Sequence, residues 1–153
     1  MPGVAVVSDT TAYLPPSVAE GNGIRLVSLY VNHGTERTER EADITDLGPL
    51  FEELRSGEEL PTTSQPSVGD FQAVYEPLLA DGRDVVSIHI SAGLSGTCQA
   101  ARQAAEALER DGGGGERVRV IDSATAAGGL GLMALVAARR AASGGDLDAV
   151  VRA

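Results

Sequence analysis

The sequence predicts an α/β domain in which a parallel sheet is covered by helices on both faces. Short apolar runs without helical spacing, such as Val4 to Val7 and Val85 to Ile90, indicate buried strands. Segments with helical spacing lie between them, and Val68 to Ala80 is the clearest of these. Because strands and helices alternate along the chain, a parallel sheet is favoured. The 153 residues correspond to one domain, or to one domain of a larger protein.

The N-terminal third of the chain begins with the first strand and continues into the polar loop Ser8 to Thr11. Pro15 and Pro16 then open a short helix. A β-rich run from Ile24 to Val31 predicts one continuous second strand. The charged stretch from Thr35 to Ala42 is expected to form a solvated loop or hairpin arm. Asp43 to Asp46 offers N-caps for a helix that ends near Gly57.

Pro61 and Pro66 frame an extended loop from Leu60 to Ser67. Pro77 lies inside the helical pattern that follows and is expected to kink or shorten that helix. The remaining predicted elements are, in order, the strand from Val85 to Ile90, a helix from Ser95, a strand from Val118 to Ile121, a helix from Ala126 to Ala142 and a last helix capped by Asp146.

Composition excludes several classes of partner and site. A net charge of -10 argues against duplex nucleic acid and anionic membrane surfaces, since both require a basic footprint. The single Cys98 excludes an internal disulfide and disfavours a cysteine-based metal site. We find neither a signal peptide at the N-terminus nor an apolar stretch long enough to cross a bilayer. A cytoplasmic, non-membrane protein is therefore expected.

Four hydroxyl-rich loops are expected to meet at one edge of the sheet: Ser8 to Thr11, Thr62 to Ser64, Ser91 to Thr97, and Asp122 with Ser123. Ligands of open parallel sheets bind outside the carboxyl ends of the strands, and helix N-termini hold anions there. Each loop alone is also explained by helix capping, but the four together favour a site. The hydroxyls of Thr63 and Ser95, with free amides near Gly96 and Thr97, would suit a carboxylate or a phosphate.

Catalytic motifs are incomplete. Gly93 to Thr97 resembles a nucleophile elbow, but that arrangement needs a His after the Ser, and both histidines of this chain precede Ser95. Gly129 to Ala134 fits the pattern G-x-G-x-x-A, yet it does not directly follow a strand, so close helix packing explains it better. No cluster has metal-ligand spacing. The residues therefore predict binding without catalysis, metal or cofactor.

Together, four segments resemble motifs of the DegV family. They are Ser8 to Pro15 (its T-D-S-x-x-D-L-P motif), Thr63 to Ser67 (T-S-Q-P-S), Ile90 to Thr97 (I-S-S-x-L-S-G-T), and Asp122-Ser123 with Gly129 to Gly131 (D-S followed by G-L-G). The segments occur in the family's order and span the whole chain.

The resemblance implies a Rossmann-like parallel sheet related to that of dihydroxyacetone kinase, and a long-chain fatty acid as the ligand. It assigns the carboxylate to Thr63 and Ser95. It further implies that some members present the fatty acid to a separate ATP-binding kinase subunit, and that the binding subunit has no catalytic nucleophile. The full set of expected ligand-binding residues is Asp9, Thr63, Ser64, Ser95, Gly96 and Thr97.

The sequence departs from the family pattern at Ser8, where Thr is usual, and at Ala92, where a second Ser is usual. Family members are also nearly twice this long, with a second domain that closes over the ligand. Residues 1–153 are accordingly expected to be a DegV-like N-terminal domain without that lid. Two alternatives stay open: a phosphotransfer subunit that uses His33, and a truncated domain without independent activity.

Overall fold

The computed structural model describes residues 3–35, 37–57 and 60–153. Its strands are β1 (Val4–Asp9), β2 (Ile24–Val27), β3 (Tyr30–His33), β4 (Arg37–Arg40), β5 (Thr62–Ser64), β6 (Asp84–His89) and β7 (Val118–Asp122). Its helices are α1 (Pro16–Gly21), α2 (Gly48–Ser56), α3 (Val68–Ala80), α4 (Thr97–Arg110), α5 (Gly128–Ala142) and α6 (Leu147–Val151). None of the helices within these ranges is both long and apolar enough to cross a membrane.

A four-stranded parallel sheet in the order β2–β1–β6–β7 forms the centre of the fold, which confirms the predicted fold class. Successive residues of a strand point to opposite faces. In β1, Ala5 and Val7 belong to a core shared with α3 and α4. Val4 and Val6 belong to a second core shared with α5 and α6. Both faces of the sheet are therefore covered by helices.

A second, three-stranded antiparallel sheet in the order β4–β3–β5 was not predicted. The expected single strand from Ile24 to Val31 is wrong, because the chain changes sheets at Ser28 and Leu29. Both residues are buried and are held by the neighbouring segment: Ala42 N donates to Ser28 Oγ at 3.0 Å, and Glu41 N donates to Leu29 O at 2.8 Å. These bonds between distant residues leave no local signal in the strand-like sequence.

Three further expectations about local structure differ from the observed elements. α2 begins at Gly48, whose amide donates to Asp46 Oδ1 at 2.9 Å, rather than at Asp43 to Asp46. The loop framed by Pro61 and Pro66 contains the short strand β5, which pairs with β3. α3 spans its predicted residues and continues past Pro77 to Ala80. The expected shortening at Pro77 is therefore wrong.

Candidate functional site

The loops after β1, β6 and β7 are joined to one another by hydrogen bonds at the carboxyl edge of the parallel sheet. Ile90 N donates to Asp9 Oδ2 at 3.1 Å, which links the ends of β6 and β1. Ser91 N donates to Thr125 O at 2.8 Å, which links the loops after β6 and β7. Ala92 N donates to Asp122 Oδ1 at 3.1 Å. The predicted convergence of these three loops is present in the structure.

Ser95 lies just before the first residue of α4 and is half-buried, and its hydroxyl is hydrogen-bonded to Thr97. Its Oγ lies 2.8 Å from Thr97 Oγ1 and accepts a bond from Thr97 N at 3.3 Å. Thr97 is completely buried. The first amides of an α-helix have no partner within the helix, so Gly96 can offer a backbone donor to an anion. The expectation of a free amide at Thr97 is wrong, because that amide donates to Ser95 Oγ. Thr97 is placed to support Ser95 from beneath the surface.

The loop that carries Thr63 reaches the same helix start through Gln65. A Cβ built on Gly96 would lie 2.0 Å from Gln65 Oε1, so the Gln65 side chain lies directly against the backbone of Gly96. Thr63 itself is exposed and pairs with Val31 of β3. Ser64 is also exposed, and its Oγ accepts a bond from Asn32 Nδ2 at 2.7 Å. The fourth hydroxyl-rich loop therefore borders the start of α4.

Asp9 is completely buried, so its carboxylate lies beneath the surface of this crevice. Oδ1 accepts bonds from the amide of Thr11, at 3.0 Å, and from the Thr11 hydroxyl. Oδ2 accepts from Ile90 N and lies 2.9 Å from His89 Nδ1. Burial, the largest influence, would raise the pKa of Asp9. The hydrogen bond and the attraction from His89, with the bonds from Thr11 and Ile90, hold that pKa below its ordinary value.

The loop after β7 adopts a strained backbone. Ala124 and Ala127 both have φ of 52°, in the left-handed region that residues with a Cβ rarely adopt. The predicted start of α5 at Ala126 is wrong for this reason, and the helix begins at Gly128. Asp122 holds the loop through Ala124 N at 2.9 Å, and the backbone bonds to Ala124 and Ala92 lower the pKa of that exposed carboxyl.

Both histidines are engaged by protein groups. Both ring nitrogens of the buried His89 have partners, Asp9 Oδ2 at 2.9 Å and Ser87 Oγ at 2.7 Å. His33 lies between Glu39 Oε1 at 2.8 Å and Glu53 Oε2 at 2.6 Å.

Burial raises the pKa of the Cys98 thiol to about 11, so the thiol is protonated at neutral pH. In residues 3–35, 37–57 and 60–153, no group of three or more His, Cys, Asp or Glu is placed to hold a metal ion.

Two features of the site were missed in the sequence. Gln65 belongs to a recognised motif, but its contact with Gly96 joins residues far apart in the chain and has no local signature. The buried polar chain of His89, Ser87 and Tyr75 was missed because only His89 stands out in an apolar strand. Ser87, two residues earlier in β6, points to the same face, and that spacing was the available signal.

The fold and the crevice together define an α/β protein that could hold a small anionic ligand at the carboxyl edge of a parallel sheet. The model of the DegV family, which describes uncharacterised proteins, matches residues 3–153. The chain therefore belongs to the DegV family.

Similar proteins come from several bacteria. A DegV domain-containing protein of Listeria monocytogenes is 36% identical over 152 residues, which are 97% of this chain and 51% of that protein. A DegV family structure from Thermus thermophilus, described by its fatty acid binding, has a TM-score of 0.86 and 38% identity, and the match covers 98% of this chain and 51% of that one.

The structure of DegV from Bacillus subtilis, described as a fatty acid binding protein, has a TM-score of 0.82 and 34% identity over 99% of this chain and 52% of that one. The chain thus spans about half the length of these relatives.

Proposed function

We propose that this chain binds the carboxylate of a long-chain fatty acid at the start of α4, without catalysing a reaction on it. In this proposal Ser95 and Thr63 donate their hydroxyls to the carboxylate, the amide of Gly96 adds a backbone donor, and Thr97 supports Ser95. Ser64 lies beside the ligand on β5. Asp9 lies beneath the crevice and contributes through its hydrogen bonds to Thr11 and Ile90. Residues 1–153 then correspond to the N-terminal domain of a DegV protein.

The observation that carries this proposal is the contact between Gln65 and Gly96, because it brings the loop of Thr63 to the helix start that holds Ser95. A carboxylate needs several donors in one place, and hydrogen bonds to a charged group each contribute roughly 1.5–3 kcal/mol. Leu94, beside Ser95, is 69% exposed and would offer apolar surface to an acyl chain.

The comparisons support a fatty acid as the ligand class. The Thermus thermophilus and Bacillus subtilis proteins are both described as binding fatty acids, and both resemble this chain over nearly all of its length. The descriptions belong to those proteins. We extend fatty acid binding to this chain because it shares the fold of those proteins and has four hydroxyl-rich loops at the same edge of its sheet.

A carrier role follows from the engaged side chains of the site. Ser95 has Thr97 rather than a base as its hydrogen-bond partner, and both nitrogens of His89 are occupied. Activation of Ser95 would require a free base within hydrogen-bond reach. We therefore propose that any phosphorylation of the bound fatty acid is performed by a separate ATP-binding kinase subunit. The chain alone, incubated with palmitate and ATP, should return both unchanged.

The head-group assignment is tested by the double substitution Thr63→Ala and Ser95→Ala. Losing two hydrogen bonds to a carboxylate should weaken the binding of carbon-13-labelled palmitate by about 3–6 kcal/mol, which is roughly 100- to 10,000-fold in Kd. Titration followed by the carboxyl carbon signal measures this change, and native mass spectrometry of the purified chain reports fatty acid that is already bound.

The matched control is Thr62→Ala with Ser143→Ala. It makes the same chemical changes on the same strand β5 and at the exposed end of α5. This pair should leave the affinity unchanged. Equal affinities of both double variants and the unaltered chain would refute the roles of Thr63 and Ser95, and failure of the unaltered chain to bind palmitate would refute fatty acid binding by these 153 residues.

A further inference from the structure

A continuous chain of buried polar side chains runs from Asp9 to α3. His89 Nδ1 lies 2.9 Å from Asp9 Oδ2, and His89 Nε2 lies 2.7 Å from Ser87 Oγ. Tyr75 OH donates to Ser87 Oγ at 2.7 Å. All four side chains are completely buried. Because Ser87 accepts from Tyr75, it can donate to His89 Nε2, and His89 then donates to Asp9.

Placing these groups inside the protein costs free energy. A buried charge such as the Asp9 carboxylate is often no more stabilising than apolar residues of similar volume, because its desolvation offsets the attraction of its partners. The network is satisfied throughout, since no buried side-chain nitrogen or oxygen of the described residues lacks a partner. Complete satisfaction in a low-dielectric core fixes positions more sharply than apolar packing does. Positional control is therefore a better explanation for the network than stability.

The Asp9 carboxylate holds two site loops at once. Oδ1 binds the backbone and hydroxyl of Thr11 in the loop after β1. Oδ2 binds the backbone of Ile90, the first residue after β6. The next residue, Ser91, accepts a bond from Ser95 N at 3.1 Å. Only Ile90 and Ser91 lie between the buried carboxylate and Ser95 along this series of contacts.

His89 also connects the network to the loop that contains Thr63. Its ring packs edge-on against Phe71 of α3, with the ring centroids 5.0 Å apart, and Ser87 connects it to Tyr75 of the same helix. α3 starts from the N-cap Ser67, which directly follows the loop containing Thr63 and Gln65. The network therefore contacts β1, β6 and α3, the elements from which the site loops extend.

We propose that Asp9 is a positioning residue for the head-group site: through Thr11, Ile90 and His89 it sets the relative placement of the Ser95 and Thr63 loops. This inference rests on the proposed function and assigns Asp9 no direct contact with the ligand. A carboxylate is required because four donors converge on its two oxygens. An amide at this position would turn its NH₂ group toward one pair of those donors.

The test compares Asp9→Asn with Tyr75→Phe in the 153-residue chain. Both changes are close in shape, and each removes buried hydrogen bonding from the same network, at its near and far ends respectively. Asp9→Asn should weaken palmitate binding about 10- to 100-fold, a loss comparable to that seen when the hydrogen-bond partner of a metal ligand is removed. Tyr75→Phe should lower the unfolding temperature but weaken binding clearly less than Asp9→Asn does, because Asp9 keeps its bonds to Thr11 and Ile90 and His89 keeps its ring contact with Phe71. Equal effects of the two variants on Kd would overturn the proposal.

A second measurement separates this inference from fatty acid binding itself. The amide NMR signals of Ile90 and Ser95 should shift clearly more in Asp9→Asn than in Tyr75→Phe, whether or not palmitate binds, because Asp9 bonds the Ile90 amide directly. Unshifted signals in a folded Asp9→Asn variant would overturn the positioning role. If Asp9→Asn does not fold, Thr11→Val takes its place, because it removes one donor to Asp9 and keeps the charge. It must then weaken binding and shift the same signals, or the proposal fails.

Discussion

At the scale of single residues, Gly96 shows how the site depends on the absence of a side chain. Its backbone has φ of -76°, which any residue can adopt, so conformational freedom does not explain the glycine. The reason is space: Gln65 occupies the position that a Cβ would take. The glycine thereby permits the loop before α3 to contact the start of α4.

The substitution Gly96→Ala should therefore affect binding more than stability. The added methyl group meets the flexible end of Gln65, which can move aside at little cost, but the Thr63 loop then loses its contact with α4. We expect palmitate affinity to fall by about tenfold, or about 1.4 kcal/mol, with a much smaller change in unfolding free energy.

Gly93→Ala is the matched control, since its Cβ would lie 3.5 Å from Ser91 Oγ, an ordinary contact in the same turn. Isothermal titration and denaturant unfolding of both variants measure the two quantities. A Gly96→Ala variant that binds as tightly as Gly93→Ala would mean that the Gln65 contact has no part in the site.

The residues of the site differ in how far the sequence could reveal them. Ser95 was accessible because a strand, a turn and a helix follow one another locally around it. The burial of Asp9 could not be predicted from the sequence, since a polar residue at a strand end is usually solvated. Its carboxylate is enclosed because groups of Ile90 and His89, 80 or more residues away, reach it. Contacts between residues so far apart in the chain produce no periodic pattern in the sequence.

At the scale of elements, the parallel strands could be predicted because they are short apolar runs, and the longer helices because their apolar residues have a helical period. The pattern failed where a strand-like run was divided between two sheets, as at Ser28. It also failed at α2, whose described residues include none that is buried. The start of α2 at Gly48 is marked by the bond from the Gly48 amide to Asp46 and not by a buried face.

The junction between α4 and the following short 3₁₀ turn, Gly115–Arg117, offers a prediction at this scale. A Cβ on Gly115 would lie 1.9 Å from Ala105 O and 2.4 Å from Glu109 N, both rigid backbone atoms of α4. Gly115→Ala should therefore separate the turn from the helix. The expected loss of unfolding free energy is about 1–3 kcal/mol or more, as for other overpacked sites.

Gly128→Ala provides the comparison for that prediction. Gly128 is the first residue of α5, and an added Cβ there meets nothing within 4 Å. Since alanine is favoured over glycine in helices by up to about 1 kcal/mol, this variant should be neutral or slightly more stable. Urea unfolding followed by circular dichroism measures both variants. Equal stabilities would show that the α4 junction tolerates a side chain.

At the scale of the whole molecule, the two hydrophobic cores meet across β1 and β6, and the buried network lies at the carboxyl ends of these same strands. The carboxyl ends of the two central strands therefore have polar side chains in the protein interior as well as at the surface. Three carboxylates in this half of the molecule have lowered pKa values, namely Asp9, Asp70 and Asp122. The ionised forms of these groups therefore contribute to the stability of the fold.

Acid should destabilise the protein through these groups, with Asp9 as the most deeply buried of them. Because its pKa is lower in the folded chain than in the unfolded chain, its contribution is complete above the ordinary aspartate value of about 3.9. That contribution is lost as the pH falls through the folded pKa, since the unfolded state takes up the proton first.

Urea unfolding between pH 7 and pH 2.5 should show a steep fall in stability below about pH 4. Asp9→Asn should be less stable at neutral pH but lose less on acidification, while Tyr75→Phe should keep the slope of the unaltered chain. A slope unchanged by Asp9→Asn would mean that the buried carboxylate does not titrate with unfolding, and the acid sensitivity would then belong to the exposed carboxylates.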